Sequence, residues 1–75
     1  MGFRSKYYII FHNQNGSKST WACDKKPEWT KSDDTSDTII GAFTQNKIVY
    51  HLYASFTFDI VHEDHGTLYH HEGRK

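Results

Sequence analysis

From Lys47 to Val61 the chain alternates. The even positions Ile48, Tyr50, Leu52, Ala54, Phe56, Phe58 and Ile60 are all apolar. The odd positions Val49, His51, Tyr53, Ser55, Thr57, Asp59 and Val61 are mostly polar or amphipathic. Period-2 alternation of this kind predicts a half-buried β-strand whose even side supplies the core. Length limits how straight it can be. The fifteen residues would span about 50 Å at roughly 3.3 Å each, whereas a domain of this size is only about 30 Å across. The stretch must bend, carry a bulge or break. Tyr53-Ala54-Ser55, with its small side chains, is the place that best tolerates strong twist. The rival reading carries a preceding helix through Tyr53 and starts the strand at Ser55.

The rest of the chain supplies partners for this stretch. Lys6 to Asn13 reads as a strand rich in Tyr, Ile and Phe. Asn15-Gly16 is a strong hairpin signal, because both residues tolerate the positive φ of a type I′ turn. Ser17 to Asp24 would be the returning strand. A two-residue loop places Ile10 opposite Trp21, Tyr8 opposite Cys23 and Ile9 opposite Ala22. Pro27 then breaks the ladder, and Trp29 is expected as a lid over the core edge. Ser32 to Asp37 is polar, with good helix N-caps. After it, Ile39, Ile40, Ala42 and Phe43 fall within two turns, which predicts one short helix over Thr35 to Gln45, stopped at Asn46. Beyond the organising stretch, Gly66 suits the left-handed position of a bulged hairpin. Thr67 to His71 would return along it, placing His70 opposite Asp59 and His71 opposite Phe58. The order is β-β-α-β-β. It predicts an α+β fold, with a small antiparallel sheet of about four strands and one short helix on one face.

Composition narrows the picture. Seventy-five residues make a single domain, with residues 1–5 expected as a lead-in and 72–75 as a frayed tail. Cys23 is the only cysteine, so neither an internal disulfide nor a cysteine zinc site is available. A single thiol fits a reducing compartment, and a cytoplasmic location is expected. The apolar run from Tyr7 to Phe11 is too short for a membrane span or a signal-peptide core. Met1-Gly2 lacks the Ser or Thr at position six that myristoylation requires, since Lys6 stands there. No membrane association is expected. Net charge is zero but unevenly placed. Residues 1–31 carry six basic side chains against two acidic ones, and residues 32–75 carry three against seven. A neutral chain is a poor candidate for non-specific nucleic-acid binding, which rests on phosphate neutralisation.

Candidate chemistry is sparse. His62, His65, His70 and His71 crowd the last hairpin with acidic neighbours, but no HxH or HExxH spacing converges two of them on one point. No metal site and no cofactor are expected. The His70–Asp59 cross-strand pair is the one arrangement suited to acid–base work, and Cys23 reads as a small hydrophobe. No catalytic motif surrounds either, and a non-enzyme is expected.

With one helix covering one sheet face, the other face would be left open. The predicted register puts Tyr7, Ile9, Phe11, His51 and Tyr53 on that open face, as a binding patch of the kind interfaces favour. The sequence thus points to a small protein-binding module, an inhibitor or accessory factor of the size made by phages and mobile elements, or a homodimer joined through the same face. The first alternative is single-stranded nucleic-acid binding, with Tyr7, Phe11 and Tyr53 stacking on bases and Lys6 and Lys18 on phosphates. The second is a small acid–base nuclease.

Overall fold

The computed structural model describes residues 6–73. The expected lead-in at residues 1–5 and the last two residues of the expected tail lie outside that range. Among the described residues, all the regular structure is strand: β1 (Tyr7–His12), β2 (Lys18–Cys23), β3 (Glu28–Trp29), β4 (Ile39–Gln45), β5 (Ile48–Tyr53), β6 (Phe58–His62) and β7 (Gly66–His71). They form a four-stranded sheet in the order β2-β1-β6-β7 and a three-stranded sheet in the order β3-β4-β5. Every pairing is antiparallel. No described helix is long and apolar enough to cross a membrane.

The α+β expectation is therefore overturned at one segment. Residues 39–45, read as the C-terminal part of a helix, form strand β4. Ile39, Ile40 and Thr44 are β-branched and Gly41 is a weak helix former, so local propensity favours the strand. The apparent helical spacing comes from a bulge between Ile39 and Gly41. The extra residue turns Ile40 inward alongside Phe43, and both are buried, while Ile39 is half exposed. Asn46 is not a helix stop. Asn46 and Lys47 both have positive φ, at 51° and 68°, as the central pair of a type I′ hairpin requires. They join β4 to β5 with Gln45 opposite Ile48.

The organising stretch breaks in two. Its first half is β5 and its second half is β6, and the halves belong to different sheets. The turn between them is held by Phe56 N–H donating to the Tyr53 carbonyl (3.0 Å), and Ala54 N–H reaches the Thr38 carbonyl (2.8 Å). Leu52, Ala54, Phe58 and Ile60, all even positions, are fully buried. With Ile9, Ile40 and Phe43 they make the core between the sheets. Trp29, expected as a lid, lies in β3 and packs against this core, and Lys26 Nζ sits 5.9 Å from its ring centre. The two sheets are linked where the chain leaves β2: Asp24 N–H donates to the Thr44 carbonyl at 2.8 Å, so the path from β2 to β3 crosses onto the edge of β4.

The first hairpin also differs from expectation, by one residue. Its loop has three residues, not two. Asn13 faces Ser17 through a 2.9 Å backbone bond, and Gly16 takes a φ of +89°. This is the bulged three-residue hairpin. Ile9 consequently opposes Trp21, and Tyr7 opposes Cys23. A one-residue slip exchanges the faces of a strand. The odd residues of β1, expected on the open face, instead face the core, and Ile9 is fully buried. Tyr8 and Ile10 take the outer face.

Candidate functional site

Two features meet at His12, the last residue of β1. The first is a groove of about 440 Å³ at the end of the two sheets. Phe11, Trp21 and Phe56 contribute its aromatic surface, and His12, Asn13, Gln14, Ser19 and Thr57 supply polar groups. The rings interlock edge to face: Phe11 lies 6.5 Å from Trp21 and 5.9 Å from Phe56, centre to centre. Phe11 also touches Phe43 and Phe58. The groove surface is thus anchored in the core, while Phe56 remains 40% exposed.

The second feature is a side-chain cluster on the outer face of the four-stranded sheet. β6 lies between β1 and β7, so Asp59 is opposite Ile10 on one side and His70 on the other. The carboxylate is flanked by two imidazoles. His12 Nε2–H donates to Asp59 Oδ2 at 2.9 Å, and His70 Nδ1–H donates to Asp59 Oδ1. His70 Nε2–H donates in turn to Glu72 Oε1 at 3.0 Å. Both ring nitrogens of His70 therefore face carboxylate oxygens, which calls for the imidazolium. Hydrogen bonds to Asp59 and then Glu72 raise the His70 pKa above its ordinary value. For Asp59, partial burial opposes ionisation, but the hydrogen bonds from His12 and His70 more than offset it and the pKa is lowered.

The remaining histidines of the last hairpin do structural work. His62 is buried, and its Nδ1 accepts the Asp64 and His65 backbone N–H groups of the β6–β7 turn, at 3.0 and 3.2 Å. His71 is buried and bridges Tyr69 and the Ala54 carbonyl. Cys23 is a free, half-buried thiol. Desolvation, with Asp24 alongside, pushes its pKa up to about 11, so it is a poor nucleophile.

The five residues read from the sequence as one patch are not brought together on one open face. Ile9 is core. Tyr7 is half-buried, its ring edge-on to His62 at 4.7 Å. His51 is exposed on β5, opposite Ala42. Phe11 and Tyr53 come closest to the expectation: Phe11 lines the groove, and Tyr53 contacts Phe56 at 5.4 Å. Sequence reasoning missed Trp21 and Phe56 as groove residues and His12 as a partner of Asp59. The Asn15-Gly16 signal, read as the end of a three-residue loop, places Trp21 opposite Ile9 and on the face of Phe11, whereas Phe56 reaches the groove only through the turn between β5 and β6. Nothing local marks His12, which meets Asp59 only through the long-range β1–β6 pairing. No protein-family model matches the chain, and neither a curated protein nor a solved structure matches it.

Proposed function

We propose that this protein is a binding module whose groove receives an apolar or aromatic side chain of a partner polypeptide. The observation that carries this reading is the groove itself, an aromatic recess ringed by hydrogen-bonding side chains. Interface anchors favour this combination, in which an apolar side chain is desolvated in a pocket while neighbouring polar groups set orientation. Trp21 and Phe11 are backed by core residues, so the recess is preformed and little ordering entropy opposes binding. Among the described residues, the groove lining contains no Lys or Arg. That weighs against the nucleic-acid alternative and against a nuclease, since both need cations on phosphate. A cytoplasmic location belongs to the same proposal, supported by the single unpaired thiol of Cys23.

The test is to pan a random peptide library on the folded chain. Enriched peptides should share an aromatic or large aliphatic residue, and their affinity should fall at least tenfold on Phe56→Ser, a change at an exposed side chain. No enrichment, or affinity unchanged in Phe56→Ser, would overturn the reading. So would retention on single-stranded RNA that is lost with salt and with Phe56→Ser.

A further inference from the structure

The cluster on the outer sheet face holds one imidazole from β1, one carboxylate from β6 and one imidazole from β7. One ligand atom from each of His12, Asp59 and His70 lies within 4.8 Å of the other two. We propose that these three residues form a binding site for a divalent transition-metal ion of the Zn(II) class, with Glu72 orienting His70.

Four physical points support the assignment. Two imidazoles and a carboxylate form a donor set that suits zinc and its neighbours and does not suit calcium or magnesium, which prefer all-oxygen sites. Ligand atoms in a tetrahedral zinc site lie about 3.4 Å apart, given metal–ligand bonds near 2.0–2.1 Å. The 2.9 Å separation of His12 Nε2 and Asp59 Oδ2 is about 0.5 Å inside that value, and the three ligand atoms together span no more than 4.8 Å. The ligands sit on three adjacent, hydrogen-bonded strands, so their backbones are held rigidly relative to one another. Finally, Glu72 Oε1 holds His70 Nε2 at 3.0 Å. With that nitrogen held, Nδ1 is directed at the site, which is the carboxylate–histidine–metal arrangement that orients metal ligands and strengthens them as donors.

Binding is a direct exchange. The metal takes the Nε2 lone pair of His12, whose ring proton then resides on Nδ1, and the Nδ1 lone pair of His70, which gives up its Nδ1 proton to solvent and keeps the Nε2–H that donates to Glu72. The Asp59 carboxylate, already ionised, becomes the third ligand. The His70 side chain is 47% exposed, so a fourth position faces water and can hold a water molecule or a small ligand. Because His12 also lines the groove, such a ligand would lie beside the groove entrance. The site is nevertheless independent of the groove's proposed occupant.

The experiment is competition of the full chain against a chromophoric zinc chelator, with histidine ring signals followed by NMR. The expected result is one Zn(II) per chain with micromolar or tighter affinity. The His12 and His70 ring signals should move while those of buried His71 stay in place. His70→Ala, at an exposed position, should weaken binding by more than tenfold. Glu72→Gln should weaken it by about 10–100-fold, the usual cost of losing such an orienting carboxylate. His51→Ala and His65→Ala should change nothing. Absence of Zn(II) binding at micromolar metal would overturn the proposal. It would also be overturned if His51→Ala or His65→Ala weakened binding as much as His70→Ala, because the binding would then be adventitious. Peptide binding by the groove can survive either failure, so the two readings are separable.

Discussion

His71 ties the last strand to the junction between the two sheets, and removing its hydrogen-bonding groups should destabilise the fold. Its ring lies against Phe58, with centroids 5.4 Å apart and planes inclined at 29°. Its Nε2–H donates to the Ala54 carbonyl at 2.7 Å, in a buried bond. Its Nδ1 meets the Tyr69 hydroxyl at 3.2 Å. Ala54 is the residue at which the chain leaves one sheet for the other, so this bond ties β7 to the junction of β5 and β6. His71→Phe keeps a ring in place and preserves the stacking, but it removes the donor. The Ala54 carbonyl, fully buried, would be left without this partner, at a cost of about 1–3 kcal/mol. The Tyr69 hydroxyl is partly protected, because it also meets the Ser32 N–H and carbonyl at 3.2 and 3.4 Å. Most of the loss therefore arises at Ala54. A domain of this length has roughly 4–11 kcal/mol of stability in total, so the variant should still fold. Its urea midpoint should fall by about 0.7–3 M, taking an m-value near 1–1.5 kcal/mol/M. Tyr69→Phe, which removes only the lesser partner, should cost about 0.5–1 kcal/mol. If His71→Phe unfolded within about 0.5 kcal/mol of the parent chain, the Ala54 bond could not be holding the junction.

Three further outcomes are expected. At Gly41, an added Cβ would lie 2.5 Å from the Glu28 carbonyl oxygen, a backbone atom, and 3.2 Å from Trp29 Cα. Gly41→Ala should therefore part β3 from β4 and cost more than about 2 kcal/mol by chemical denaturation; a neutral result would show that β3 adds nothing. Lys47 occupies the left-handed region at φ 68°. Lys47→Gly should stabilise the β4–β5 turn by about 1 kcal/mol, and a destabilised variant would contradict the turn assignment. Third, the raised His70 pKa means that its stabilising effect is complete below the unfolded value of about 6.5 and is lost as pH rises through the folded value. The lowered Asp59 pKa means that its contribution is present above about 3.9 and is lost as pH falls through the folded value. In chelator-treated protein the cluster should thus stabilise most between about pH 4 and 6.5. Urea midpoints at pH 5 and pH 8 should differ less in Asp59→Asn than in the parent; an unchanged difference would assign the pH dependence elsewhere.

Local signals carried part of the fold. Alternation marked the residues from Ile48 to Ile60, and chain length required a break near Ala54, where the structure turns. The last hairpin was legible at the Asp59–His70 and Phe58–His71 pairs, although a register shift between Ile60 and Val61, which no local signal marks, sets His62 opposite Gly66. What misled was a set of ambiguities that local physics does not resolve. A bulged strand with Ile40 and Phe43 both inward presents the three-residue spacing of a helix, so β4 imitated one. Asn15-Gly16 fits a two-residue loop and also the end of a three-residue loop. The two-residue loop would set Ile9 on the open face, whereas the three-residue loop sets it opposite Trp21 in the core. His12 was invisible as a functional residue because its partner lies 47 positions away. No spacing motif reports a contact made across two non-consecutive strands.

The place of β6 in the sheet has a consequence for how the chain assembles. β6 is an interior strand, with β1 on one side and β7 on the other, yet it comes second to last in sequence. As the chain emerges from its N-terminus, β1 and β2 can pair early, and so can β4 and β5. The second edge of β1 must wait, uncovered, until Phe58–His62 arrives. Closing that long loop costs entropy before any contact repays it, so insertion of β6 should be the slow step. It is also the step that first brings Asp59 to His12. The outer-face cluster and the His12 side of the groove therefore come into being together, late, and only in a chain that has completed its larger sheet.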